Sequence, residues 1–247
     1  MTFLAPDALG RCLLGLALTL FAALPAAAGE RAPVVVELFT SQGCNSCPPA
    51  DKFLGELAQR NDVLALSFHV DYWDYLGWKD TFGSKENTHR QSLYRDRLMG
   101  RYVYTPQMII DGRVEMQGTD RSRAATEIVK SKTLAELGDN AALAPIDCSE
   151  TKDGKYMVSL PARPGIGAVP LWLVRFDPRH EVAIGRGENS GRKLVYTNVV
   201  REIRRIGEWK GEAMQLTLPA DAVPQGSGAA ILAQDGHAGR ILAAGRF

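Results

Sequence analysis

The chain has 247 residues, 45% of them hydrophobic, and a formal net charge of +1 from 29 Lys and Arg against 28 Asp and Glu. That length accommodates one large or two small domains, each able to bury its own core. The charges are well mixed, so no basic field suggests nucleic acid as a partner.

Arg11 stands just before the apolar run Cys12–Leu24, and Pro25-Ala26-Ala27-Ala28 supplies the small residues of an A-x-A cleavage site. The run is short for a membrane span and no stop-transfer pattern follows it. Residues 1–28 therefore read as a secretory signal peptide, which takes Cys12 with it. The rest is expected to be exported, periplasmic or secreted, with no membrane span after signal removal. Three cysteines remain, Cys44, Cys47 and Cys148, too sparse for a structural disulfide framework, which leaves catalytic or metal-binding use.

Arg31 to Phe39 is a near-continuous Val and Leu run, as in a strand covered on both faces. It stops at Thr40-Ser-Gln-Gly-Cys44-Asn-Ser-Cys47, and Pro48 and Pro49 then open a helix, where a missing N–H has no partner to lose. In Asp51 to Gln59, Phe53, Leu54, Leu57 and Ala58 recur at helical spacing, with Asp51 and Glu56 on the polar side. Val63 to Phe68 is a second apolar strand, parallel to the first through the helical crossover. His69 follows at its carboxyl end, the edge from which the cysteine loop also emerges and where sites form in open α/β sheets. An aromatic segment, His69 to Phe82, precedes a helix over Lys85 to Met99. A strand entered through Thr105-Pro106 turns at Asp111-Gly112 into a returning strand, Arg113 to Gln117. Asp120 to Leu137 has helical periodicity. From Ala144 the pattern changes to short alternating strands, Lys155 to Leu160, Val169 to Phe176, Glu181 to Ile184, Lys193 to Glu202, Ala213 to Leu218, Ala229 to Gln234 and Arg240 to Ala244. Asp177-Pro178 is among the turn signals between them, and the spacing suggests an antiparallel sandwich or barrel.

Cys44 and Cys47, two residues apart at a helix N-terminus, read as a redox pair, because unpaired N–H groups there favour a thiolate. The partners would be protein or small-molecule thiols and disulfides, and no cofactor is required. Cys44, expected to be the more exposed, is the candidate nucleophile and Cys47 the resolving thiol. Glu37, pointing into the core, is a candidate to move a proton to or from Cys47 through water, or else faces a polar edge or pairs with an arginine. Trp73, His69 and Asp71 are candidates to line the substrate groove or sit near the sulfurs. The alternative is a copper- or zinc-handling protein with Cys44, Cys47 and His69 as ligands. Cys148 reads as a buried thiol.

Cys44-Asn-Ser-Cys47 between strand and helix, followed by Thr105-Pro106 entering a hairpin and a last helix, resembles the thioredoxin fold. More closely, Glu37-Leu-Phe-Thr-Ser-Gln-Gly-Cys-Asn-Ser-Cys-Pro-Pro-Ala-Asp51, Phe68-His-Val-Asp-Tyr-Trp-Asp-Tyr-Leu-Gly-Trp-Lys-Asp80 and Val103-Tyr-Thr-Pro-Gln-Met108 resemble the exported bacterial family called domain of unknown function 1223. The resemblance implies an α/β thioredoxin-like domain with a helical insertion over residues 29–140, and a β-rich, antiparallel sandwich-like domain over 141–247. It also implies a cis bond at Pro106 that shapes the partner groove, with Thr105 beside it.

Overall fold

The computed structural model describes residues 1, 31–137, 139 and 142–247, so the expected signal peptide lies outside the described residues apart from Met1. Strands β1 (Val34–Thr40) and β2 (Val63–His69) are parallel, with Val34 opposite Val63 and Thr40 opposite His69. Both are buried at every position, which is why neither shows alternation. Helix α1 (Pro48–Leu57) connects them. Val34, Val36 and Leu38 meet its Phe53, Leu54 and Leu57 on one face of the sheet. Val35 and Phe39 face the other way, into a core shared with Tyr94. Tyr94 belongs to α2 (Lys85–Arg97), whose first turn is capped by the Ser84 hydroxyl accepting from the Asn87 N–H. Strands β3 (Gln107–Ile110) and β4 (Val114–Gln117) form the hairpin expected at Asp111-Gly112, whose φ values of 51° and 64° are those a two-residue turn needs. Helix α3 (Arg121–Glu136) follows and packs Ala124 and Ile128 into the α1 side.

The rest of the chain is β5 (Ala144–Pro145), β6 (Asp147–Glu150), β7 (Tyr156–Leu160), β8 (Val169–Ala183), β9 (Lys193–Trp209), β10 (Met214–Leu218), β11 (Gly228–Gln234) and β12 (Ile241–Arg246). Nine strands form one mixed sheet in the order β4-β3-β1-β2-β9-β8-β11-β12-β5. Strands β10, β7 and β6 form a small second sheet, packed through Val158, Leu160 and Leu218 on Leu171, Leu173 and Ile231.

This overturns the expected fold class. A thioredoxin-like α/β domain with a helical insertion beside a separate sandwich would have kept two sheets apart. The molecule instead is mostly strand, with three helices among the described residues and one sheet crossing residue 140. The join is β9 on the open edge of β2, where Val199 pairs with Ser67 and the Asn198 Nδ2 donates to the Ala65 carbonyl at 2.8 Å. Nor is α2 an external insertion, because Asn87, Arg90, Gln91 and Tyr94 are all buried against the sheet. Strand β8 runs straight through Asp177-Pro178, which the sequence marks as a turn. Across the ladder from Pro178, between the pairs Asp177–Val199 and Arg179–Thr197, lies Asn198 with φ of 49°. Proline has no N–H to offer there, and the partner residue has turned out of extended geometry, so the strand continues without a lost hydrogen bond.

Candidate functional site

The chain leaves β1 at Thr40 and forms a tight loop in which the Cys44 N–H donates to the Ser41 carbonyl and the Cys47 N–H to the Cys44 carbonyl. Cys44 and Cys47 are joined as a disulfide, with Cα atoms 5.5 Å apart. Cys47 is the N-cap of α1. Pro48 and Pro49 carry no N–H, and the first two that follow, on Ala50 and Asp51, both bond to the Cys47 carbonyl, at 2.8 and 3.1 Å. The free N–H groups expected to stabilise a thiolate are therefore occupied or missing, and only the general field of the helix remains. Cys44 is 1% exposed and Cys47 0%, while Asn45 and Ser46 between them are exposed, so Cys44 is not the open nucleophile the sequence suggested.

Thr105-Pro106 is cis. A Cβ placed on Gly118 would lie 2.8 Å from Leu38 Cδ1, 2.9 Å from Pro106 Cβ and 3.1 Å from Ala50 Cβ, which places Pro106 against β1 and the first turn of α1. The Trp73 Nε1 donates to the Thr105 hydroxyl at 2.7 Å, and the Trp73 Cβ would lie 3.0 Å from a Cβ on Gly43. Thr105, Pro106 and Trp73 are thus brought to the cysteine loop. Asp71 is not, because its carboxylate accepts from the Thr88 hydroxyl of α2 at 2.6 Å.

Glu37 is not placed to pass a proton to Cys47. It lies on the α2 face of β1, away from α1, where its Oε1 accepts from the Arg90 Nε at 3.0 Å and Nη2 at 2.7 Å, and its Oε2 from the Tyr94 hydroxyl. Arg90 Nη2 also donates to Gln234 Oε1 at 2.9 Å, tying β1 and α2 to β11. The arginine pairing was one of the other readings of Glu37.

The carboxylate on the cysteine side is Asp51, which the helical wheel had put on the polar face. It is 5% exposed, one turn into α1 after Cys47, and its Oδ1 accepts from the Thr40 hydroxyl at 2.7 Å. Burial raises its pKa to about 7, against the opposing pull of His69 and of the Thr40 hydrogen bond. His69 is fully buried and its Nδ1 meets Asp80 Oδ2 at 2.7 Å. Burial would raise the Asp80 pKa, but His69 and the N–H groups of Gln42 and Phe82 together hold it below the usual carboxylate range. Rings of Phe82 and Tyr196 meet the imidazole edge-on, at 5.3 and 4.7 Å. Asp51 Oδ2, His69 Nε2, Ser67 Oγ and Tyr196 Oη have no hydrogen-bond partner. With the cysteines joined to each other, no three His, Cys, Asp or Glu side chains among the described residues are grouped to hold a metal ion, and the Cys44, Cys47 and His69 set finds no support.

Two residues at the cysteine loop escaped the sequence reading. Gln42 is engaged at every polar atom: its N–H donates to Asp80 Oδ2, its Nε2 to the Thr81 hydroxyl, its Oε1 accepts from Trp78 Nε1, and its carbonyl accepts from Asn189 Nδ2. The same Asn189 Nδ2 donates to the Cys44 carbonyl, also at 2.9 Å. Neither residue belongs to a recognisable spacing, and Asn189 is 145 positions from Cys44. Cys148 is half-buried on β6, and burial pushes its thiol up to about 12.

No helix among the described residues is long and apolar enough to cross a membrane. No curated protein matches the chain. The X-ray crystal structure of an Agrobacterium tumefaciens protein is similar at 34% identity, covering 89% of this chain and 96% of that one, with a TM-score of 0.76. The structure of HBP35 of Porphyromonas gingivalis shares the fold at 14% identity and a TM-score of 0.55, covering 88% and 75%. The model of the family described as protein of unknown function (DUF1223) matches residues 35–234. The chain, with its paired Cys44 and Cys47, belongs to the DUF1223 family.

Proposed function

We propose that the protein exchanges thiols and disulfides through Cys44 and Cys47 in an exported, oxidising compartment. The observation that carries this reading is the disulfide itself, closed across one turn at the start of α1 with Trp73, Thr105 and Pro106 against its loop. The pattern of Arg11, an apolar run and Pro25-Ala26-Ala27-Ala28 supports export, and an exported compartment would let the disulfide persist.

In the exchange, a partner thiolate attacks Cys44 Sγ, the Cys44–Cys47 bond breaks, and Cys47 leaves as a thiolate. A second partner thiolate then attacks the partner sulfur of the mixed disulfide and frees Cys44. The pair gains two electrons, the partner becomes a disulfide, and the two thiolates take up protons. The prolines at the helix start and the buried Asp51 both withhold stabilisation from those thiolates. A pair whose reduced form is poorly stabilised is a weak oxidant, so the potential is expected nearer the reducing end of the range, about −270 mV, than the oxidising end, about −120 mV.

The test is equilibration of the mature, chelator-treated protein against glutathione buffers, with Cys44→Ser as control. A two-electron titration that disappears in the variant supports exchange. A pair that stays oxidised in every buffer and in excess dithiothreitol refutes it.

A further inference from the structure

The buried cysteine loop is tied to the C-terminal half at one point. Ile184 and Arg192, at the end of the long β8–β9 hairpin, exchange backbone hydrogen bonds with their neighbours across a loop that doubles back on itself: Ile184 N–H to the Arg192 carbonyl, Gly191 N–H to the Ile184 carbonyl, and Ser190 N–H to the Gly187 carbonyl. The loop is largely polar and mostly exposed between its buried base, Ile184 at 2%, and Asn189, which is 1% exposed. Its amide is aimed by Arg192, whose Nη1 donates to Asn189 Oδ1 at 2.7 Å, and its Nδ2 reaches the carbonyls of Gln42 and Cys44. Beside this contact the loop rests on the Trp78 ring, 3.2 Å from where a Cβ would stand on Gly185, and Trp78 in turn holds the Gln42 side chain. A loop from the C-terminal half is thus tied to the backbone of the cysteine loop through one buried amide and rests on one aromatic face beside it.

We propose that the loop 184–192 is the specificity element of the cysteine site, with Asn189 as its latch. Closed, it slows the attack of small thiols on Cys44 Sγ without changing the equilibrium they reach. A partner that reaches the sulfur does so by lifting the loop and supplying its own N–H donors to the Gln42 and Cys44 carbonyls, as an extended polypeptide can and a thiol without amide groups, such as dithiothreitol, cannot. The inference rests on the exchange reading given above and deepens it by naming the class of partner.

The latch is a set of two hydrogen bonds that hold an otherwise exposed loop, so its removal should raise the fraction of molecules open to attack by about tenfold or more. The probe is dithiothreitol: one thiolate attacks Cys44 Sγ and displaces Cys47, the second closes the reagent into its cyclic disulfide, and the protein pair takes up two electrons. The rate is read by iodoacetamide trapping and peptide mapping of Cys44 in the oxidised full chain. Asn189→Ala and Asn189→Asp both remove the donors, and the second keeps the side-chain shape, so one answers for the other if either fails to fold. Asn198→Ala is the control, because it cuts another amide tie between the halves, to Ala65, away from the cysteine loop. The proposal expects both Asn189 variants to be reduced at least about tenfold faster than wild type, and Asn198→Ala within about twofold of it. Rates unchanged in the Asn189 variants overturn it, as does equal acceleration in Asn198→Ala, which would mean general loosening. The glutathione equilibrium is a separate measurement, so faster reduction with no measurable equilibrium would sink the exchange reading while leaving the latch in place.

Discussion

Glu37 and Asp51 are both buried acids, one on each face of the same sheet, and their surroundings differ in one respect. Every oxygen of Glu37 is met by Arg90 or Tyr94, and the network continues to Gln234. Asp51 has the Thr40 hydroxyl on one oxygen and nothing on the other. A satisfied buried ion pair is a fixture that specifies how elements dock, whereas a carboxyl held near neutral titration is a place where charge can change. The α2 face therefore holds the two halves together, and the α1 face behind the cysteines is where protons can be exchanged.

The largest effect is expected from breaking the fixture. Arg90→Leu leaves Glu37 buried without its cation and should cost about 3–5 kcal/mol in urea denaturation of the oxidised protein. A loss below about 1 kcal/mol would place Glu37 in contact with water and dissolve the contrast.

Asp51 should behave in the opposite sense. Its pKa rises from 3.8 to about 7 on folding, so the folded state holds the proton more tightly than the unfolded chain does. Stability should therefore fall as pH rises from about 4 to about 7 and be level above that, by up to about 4 kcal/mol. Asp51→Asn should flatten this slope and make the variant the more stable protein at pH 8. A wild-type profile with no slope between those values would show that Asp51 is ionised at little cost. Thr40→Val removes the one donor to Asp51, and is expected to cost about 1–3 kcal/mol at pH 8 and to move the end of the slope to higher pH. As a measure of the floor, Glu136→Gln breaks the exposed Arg31–Glu136 pair, and a change above about 1 kcal/mol in the same assay would be unexpected.

What could be read from the sequence follows the range of the interactions involved. Helices α1 to α3, the Asp111-Gly112 turn and the spacing of Cys44 and Cys47 are local, and their signals lie within a few residues. The burial of Asp51 is not, because its position on the wheel is polar and only the arrival of β9, with Tyr196 near it and Thr197 against Gly55, closes that side. Asn189 and Gln42 carry no motif, since an amide that holds two carbonyls looks like any other surface amide until the fold is known. The division into two domains followed a real change in pattern near residue 140. Which strand edge accepts which distant partner is not written in alternation, so the nine-stranded sheet that crosses residue 140 could not be foreseen.

The seat of β9 on β2 also sets a condition on how the chain must be made. Asn198 lies 133 positions after the Ala65 carbonyl it binds, so the apolar edge of β2 has no neighbour on that side until most of the chain has been synthesised. Through that interval the edge is open to pairing with any other extended chain. A nascent chain halted after α3 would carry the cysteines, the hairpin and all three helices, and still be a seed for aggregation.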